Sequence, residues 1–138
     1  MVMSRKVWFV PELTPENTPF WSGGGQGKLL IMHCDRCDHA IHPPELICPR
    51  CLCREVSPRA ARGTGSIYSV TVNYQKWFPE MEVPYAIAVV DLDGEAGVRI
   101  TVQVVGTAPE DVAIGNRVRV LFEPAGDNIW IPQVELIR

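Results

Sequence analysis

The sequence predicts a mainly-β chain in three parts: a short helical arm, a small metal-tied module and a closed five-stranded barrel. Three observations carry this. Four cysteines fall in two pairs, Cys34-x2-Cys37 and Cys48-x2-Cys51, ten residues apart. Stretches that alternate apolar and polar residues recur from Gly65 to Ile137, the mark of half-buried strands. Ahead of both lies a segment rich in proline and glycine, with Phe20 and Trp21 at its centre.

The arm spans residues 1–27. Thr18 before Pro19 reads as the N-cap and first position of a helix. Gly23, Gly24 and Gly25 penalise its continuation by about 1 kcal/mol each relative to alanine. A short helix is therefore expected, with Phe20 and Trp21 as anchors. The glycines read as a hinge; no Lys-Ser/Thr pair or preceding strand makes them a phosphate cradle. The first ten residues hold two basic side chains and no apolar run after them, so no secretory signal is expected.

The metal module spans 28–62. Two C-x2-C pairs at this spacing bring Cys34, Cys37, Cys48 and Cys51 to one tetrahedral ion, typically zinc with Zn–S of about 2.3 Å. Four thiolates fill the coordination sphere, which points to a structural Zn2+ and not a catalytic one. Thiolates also hold iron, so iron is the alternative metal. Cys53 reads as a spare thiol, competition with Cys51 for the metal being the alternative. Residues 28–33 form a strand into the first knuckle, and 40–42 the return. The residue after each knuckle's second cysteine takes a left-handed conformation. Asp38 tolerates that and Leu52 does so poorly, which predicts a distorted second knuckle.

From Gly63 the chain reads as strands over 65–74, 85–92, 98–105, 116–122 and 129–137. In the first, Ile67, Ser69, Thr71 and Asn73 share one face, with Tyr68, Val70, Val72 and Tyr74 on the other. Asp93-Gly94 gives a turn, and residues 109–115 a short connection. Five strands with a long first one predict a Greek-key barrel of the OB type over 63–138. The connection 73–84 holds Trp77, Phe78 and Met81 outside the alternation. Aromatic residues and methionine are enriched at interface cores. With Phe20 and Trp21, these three are candidates for partner contact, self-packing being the alternative.

Composition narrows the function. The 138 residues are 46% hydrophobic, yet no apolar run approaches the roughly 18 residues of a membrane span. Five cysteines, four in metal spacing, suit a reducing cytoplasm better than a disulfide scaffold. The net charge of −3 is uneven: residues 28–62 hold six Lys/Arg against four acids, and residues 63–138 five against ten. An acidic barrel counts against a nucleic-acid partner, although single-stranded nucleic acid remains the alternative ligand of such barrels. No P-loop, dinucleotide glycine pattern or G-x-S-x-G is present. His33, His39 and His42 have neither a nucleophile nor an orienting acid in any recognisable arrangement. That argues against catalysis by the chain alone, and an autonomous enzyme using the barrel as a pocket stands as the third reading.

An ordered set of motifs then resembles a known family. It runs through Asn17-x2-Phe20-Trp21, Gly27-Lys28-Leu29, the two knuckles with Pro43-Pro44 between them, and Gly63-Thr64-Gly65-x2-Tyr68-Ser69-x-Thr71. Val83-Pro84-Tyr85 and Ile114-Gly115-Asn116-x-Val118 complete it, so the likeness covers residues 11–138. The family pairs a rubredoxin-like zinc ribbon with an OB-fold and serves acyl-CoA enzymes. The resemblance implies a non-catalytic accessory subunit that binds a thiolase-superfamily enzyme: a thiolase, a hydroxymethylglutaryl-CoA synthase or an aldolase that shortens steroid side chains. It implies that the partner supplies the catalytic groups while this chain supports the complex and helps form its CoA or acyl channel. A two-plus-two heterotetramer is the expected assembly, with Arg50, Arg54 and Arg62 as candidate contacts for CoA phosphates.

Overall fold

The computed structural model describes residues 9–138, so the expectation about residues 1–8 lies outside it. A five-residue helix, α1 (Thr18–Ser22), opens the ordered elements. Its N-cap is Asn17 and not Thr18. The Thr18 hydroxyl donates back to the Thr14 carbonyl at 2.5 Å, which leaves it unable to cap, and Pro19 falls at the second helical position. A 3-10 turn, Gly23–Gln26, follows directly.

The glycines do not act as a hinge. Gly23 and Gly24 are buried, because this turn lies flat on the barrel. A Cβ on Gly24 would stand 2.5 Å from Trp130 Cβ and 2.7 Å from Phe122 Cδ1. Glycine is there because only a bare backbone approaches so closely. Gly24→Ala should therefore lower unfolding stability by about 1–3 kcal/mol through overpacking, read as a reduced urea midpoint. An unchanged midpoint would show that the arm lifts off at no cost.

The ribbon sheet has the order β2-β1-β3, with β1 (Leu30–Cys34) between β2 (Ala40–Ile41) and β3 (Val56–Ala60), all antiparallel. The third strand was not expected, and Pro58 lies within it. At a sheet edge, where β3 lies, proline leaves no inward ladder bond unmade. Alternation along β1 ties the two modules together. Leu29 and Ile31 join the barrel core, while Met32 and Cys34 join the ribbon's own small core with Ile41 and Cys48.

The barrel is closed in the order β4-β5-β6-β8-β7, from β4 (Thr64–Asn73), β5 (Tyr85–Leu92), β6 (Arg99–Val104), β7 (Arg117–Gly126) and β8 (Ile129–Leu136). Parallel pairing of β6 with β8 and antiparallel pairing of β4 with β7 complete it. All five expected strands are present, with two corrections. A bulge between Ile67 and Ser69 breaks the simple alternation of β4, so Ile67 shares the inner face with Val70 and Val72. Strand β7 also runs on to Gly126, past Pro124, where a register shift accommodates the proline.

Candidate metal centre and docking surfaces

The knuckles place four sulfurs together. Cys34 comes from the end of β1, Cys37 from the turn after it, and Cys48 and Cys51 from the second knuckle. Their Sγ atoms all lie within 4.8 Å of one another, with Cys34 to Cys51 at 3.5 Å and Cys37 to Cys48 at 3.6 Å. A tetrahedron with metal–sulfur bonds of about 2.3 Å has sulfur–sulfur edges of about 3.8 Å. The donor set therefore fits one ion, and these four cysteines are positioned to bind it. Cys53 is not in the set; its sulfur accepts the Glu55 amide at 3.3 Å.

Backbone amides prepare the site. The Cys37 N–H reaches Cys34 Sγ at 3.4 Å, and such bonds pull the Cys34 thiol down to about 6. The Cys53 amide lowers Cys51, but burial and the neighbouring thiols push it up to about 12. Four thiolates in this volume repel one another, and a divalent cation removes that conflict.

Both left-handed positions appear as expected, Asp38 at φ 61° and Leu52 at φ 64°. The second knuckle is nevertheless undistorted. Leu52 N–H bonds the Cys48 carbonyl at 2.9 Å, matching Asp38 to Cys34 at 2.9 Å. The metal loop over-determines the backbone, and Leu52 accepts the strain with its side chain 74% exposed.

Ribbon and barrel are joined by a polar pair that the sequence did not suggest. His33 Nδ1–H donates to the Ile31 carbonyl at 2.8 Å, and its Nε2 meets Glu95 Oε2 at 2.7 Å. His42 packs on the Phe20 ring, 5.1 Å between centroids, and burial holds its pKa below the ordinary value.

The candidate contact residues separate. Phe20 is buried and meets Trp21 edge-on at 4.9 Å; together they wall an apolar cavity of about 220 Å³ with Tyr85, Ile87 and Ile131. Phe78 stacks at a tilt on Phe9 (5.4 Å), Met81 is half-buried, and Trp77 is 65% exposed. Tyr74, which the strand pattern placed on a β4 face, lies just past the strand and is 64% exposed beside these residues in sequence. Arg50 and Arg54 sit on the second knuckle, both exposed. Arg62 lies elsewhere, against Gly94 and close enough to Asp93 to lower its pKa.

Asp93 belongs to a second polar cluster, at the seam where β4 meets β7. The Arg117 guanidinium grips both carboxylate oxygens and the Thr64 hydroxyl donates at 2.6 Å, holding Asp93 well below the usual carboxylate range. A depressed folded pKa means the stabilisation is present above the unfolded value, about 3.9, and is lost as pH falls through the folded one. Unfolding stability should thus decline below about pH 4. Asp93→Asn should flatten that acid limb, measured by urea titration across pH; an identical limb in the variant would remove Asp93 as its source.

Comparison with known proteins decides the family. The model described as "ChsH2, rubredoxin-like zinc ribbon domain" matches residues 21–57, and "ChsH2, C-terminal OB-fold domain" matches 58–123. A DUF35 domain-containing scaffold protein of Methanocaldococcus jannaschii is 37% identical over 97 residues, 68% of this chain and 67% of that protein. The chain belongs to the ChsH2-type DUF35 family. It is also similar to a probable enoyl-CoA hydratase alpha subunit of Thermomonospora curvata, at 31% identity over 122 residues. That match spans 88% of this DUF35 chain but only 38% of the hydratase subunit. Among solved structures, a chain of the Ltp2-ChsH2(DUF35) aldolase superposes with a TM-score of 0.82 at 29% identity, covering 92% of this chain and 98% of that one. A DUF35 protein of unknown function from Sulfolobus solfataricus, 17% identical with a TM-score of 0.62 over 89% and 86% of the two chains, shares the fold. Among the described residues no helix is long and apolar enough to cross a membrane.

Proposed function

We propose that this chain is a zinc-holding scaffold subunit, without catalytic residues of its own, of a thiolase-superfamily enzyme acting on a carbon–carbon bond beside a CoA thioester. The observation that carries this reading is the likeness, over 92% of the chain, to a chain of the Ltp2-ChsH2(DUF35) aldolase. The scaffold naming of the archaeal relatives supports it. So does the use of the histidines: His33 is bonded to Ile31 and Glu95 and His42 lies against Phe20, so both have structural partners. Cys34, Cys37, Cys48 and Cys51 hold one zinc ion that fixes the ribbon. Trp77, with Tyr74, Phe78 and Met81 close to it in sequence, forms the aromatic contact for the enzyme, and Trp21 flanks a cavity open to its acyl channel. Two copies flank an enzyme dimer.

The test has two stages. Tagged chain captured from its native lysate should bring down a thiolase-superfamily enzyme at near-equal molarity. That enzyme, assayed on its acyl-CoA with and without the chain, should lose activity or stability when the chain is absent. Light scattering of the complex should give a two-plus-two mass, and elemental analysis one zinc per chain. A red protein would mean iron. Recovery of the chain alone, with nucleic acid, or with acyl-CoA turnover of its own would overturn the reading.

A further inference from the structure

We infer that the second knuckle, residues 46–54, is a docking face that seats in an apolar hollow bordered by carboxylates on the partner enzyme; this rests on the scaffold reading. Three large aliphatic side chains are exposed within seven residues: Leu46 at 48%, Ile47 at 39% and Leu52 at 74%. The loop that carries them is closed on itself. Leu52 N–H bonds the Cys48 carbonyl, Cys48 N–H bonds the Cys53 carbonyl, and two of its sulfurs belong to the metal set. A segment tied this way is already ordered, so binding through it loses little further conformational freedom.

Leu52 is the sharper sign. Asp38 holds the matching left-handed position in the first knuckle, and its carboxylate accepts a bond from Arg59 Nη1 at 3.0 Å. Leu52 has the same strained backbone and no comparable bond; its side chain points to solvent. Glycine would relieve both the strain and the exposure. An apolar residue kept exposed on a strained backbone serves binding more readily than folding.

Charge names the occupant. Between residues 46 and 54 the only charged side chains besides the thiols are Arg50 and Arg54, both exposed, with Glu45 and Glu55 bounding the stretch. Neither arginine enters an ion pair formed among the described residues. Guanidinium groups fit carboxylates in a fork, and aliphatic anchors ringed by such pairs are the usual make-up of a protein contact. The resemblance suggested CoA phosphates for these arginines, but the three aliphatic neighbours favour a protein surface.

The experiment measures affinity between the full chain and the purified thiolase-superfamily enzyme. Leu52→Gly should weaken binding about tenfold or more, while the melting midpoint of the free chain stays level or rises. Arg50→Glu with Arg54→Glu should slow association, with the difference shrinking at high salt. Unchanged affinity in Leu52→Gly and in Leu46→Ser with Ile47→Ser, while Trp77→Ala weakens binding, overturns this docking face and leaves the scaffold reading standing. No binding by the unaltered chain overturns both. An arginine effect seen only with CoA present assigns the pair to phosphates and overturns the proposal. So does a dimer of the free chain that disappears in Leu52→Gly.

Discussion

Cys48→Ser is expected to unfold the ribbon while the barrel stays closed. Among the described residues the ribbon's own core has four buried members, Met32, Cys34, Ile41 and Cys48, with Cys37, Cys53 and Val56 half-buried against them. Burying a side chain of this kind contributes about 1.5–3 kcal/mol, whereas ordering each backbone residue costs about 1–2 kcal/mol. Four buried residues cannot order the whole stretch from Cys34 to Ala60. A structural zinc ion supplies on the order of 10 kcal/mol in small modules of this type, as much as the four burials together. The barrel depends on the metal far less: Ile67, Ala88, Val90, Val102, Val118 and Val134 come from its own strands, although Leu29 and Ile31 of the ribbon pack into the same core. Hydrogen exchange of the metal-free or Cys48→Ser protein should show rapid exchange in β2 and β3 with protection kept in β5, β6 and β8. Ribbon amides still protected without metal would show that the module folds unaided. Cys53→Ser, outside the sulfur set, should retain the metal.

How far each feature was legible in the sequence follows from how local its cause is. The metal set was legible because each knuckle is four residues long and its ligand chemistry is written in residue type. The strands were legible where period-2 alternation holds. They were misread where a local break is absorbed by tertiary context: Pro58 at a sheet edge, Pro124 at a register shift, and the bulge beside Tyr68. The glycine turn was misread as a hinge because glycine's two uses, freedom and close approach, look alike until Trp130 and Phe122 are seen against it. Thr18 shows the same limit on a smaller scale, since a hydroxyl that caps and one that bonds backward differ only in geometry. Docking surfaces were legible only as residue type. Phe20 and Trp77 looked equivalent in sequence, and the fold buries one and exposes the other.

His33→Ala should produce the other large effect, a loss of about 3–5 kcal/mol, because it strands a carboxylate between ribbon and barrel. The pair spans 62 positions of sequence, beyond the reach of any local pattern. Both partners are close to fully enclosed, with side-chain exposures of 9% and 11%. The geometry fixes the protons that must be present. A carbonyl accepts only, so Nδ1 carries a hydrogen toward Ile31, and one further proton lies between Nε2 and the Glu95 carboxylate. Glu95→Gln keeps a donor for Nε2 while His33 stays neutral, so that variant should lose only about 1 kcal/mol, the worth of an ordinary hydrogen bond. The asymmetry between the two substitutions separates a buried proton-sharing pair from simple packing. His33 precedes a metal-set cysteine, so metal content must be shown unchanged in each variant. Urea unfolding of both single variants and the double should then give a coupling of about 1–3 kcal/mol. Additive losses would mean that His33 and Glu95 stabilise the chain independently, and that apolar contacts such as those of Leu29 and Ile31 hold the ribbon to the barrel.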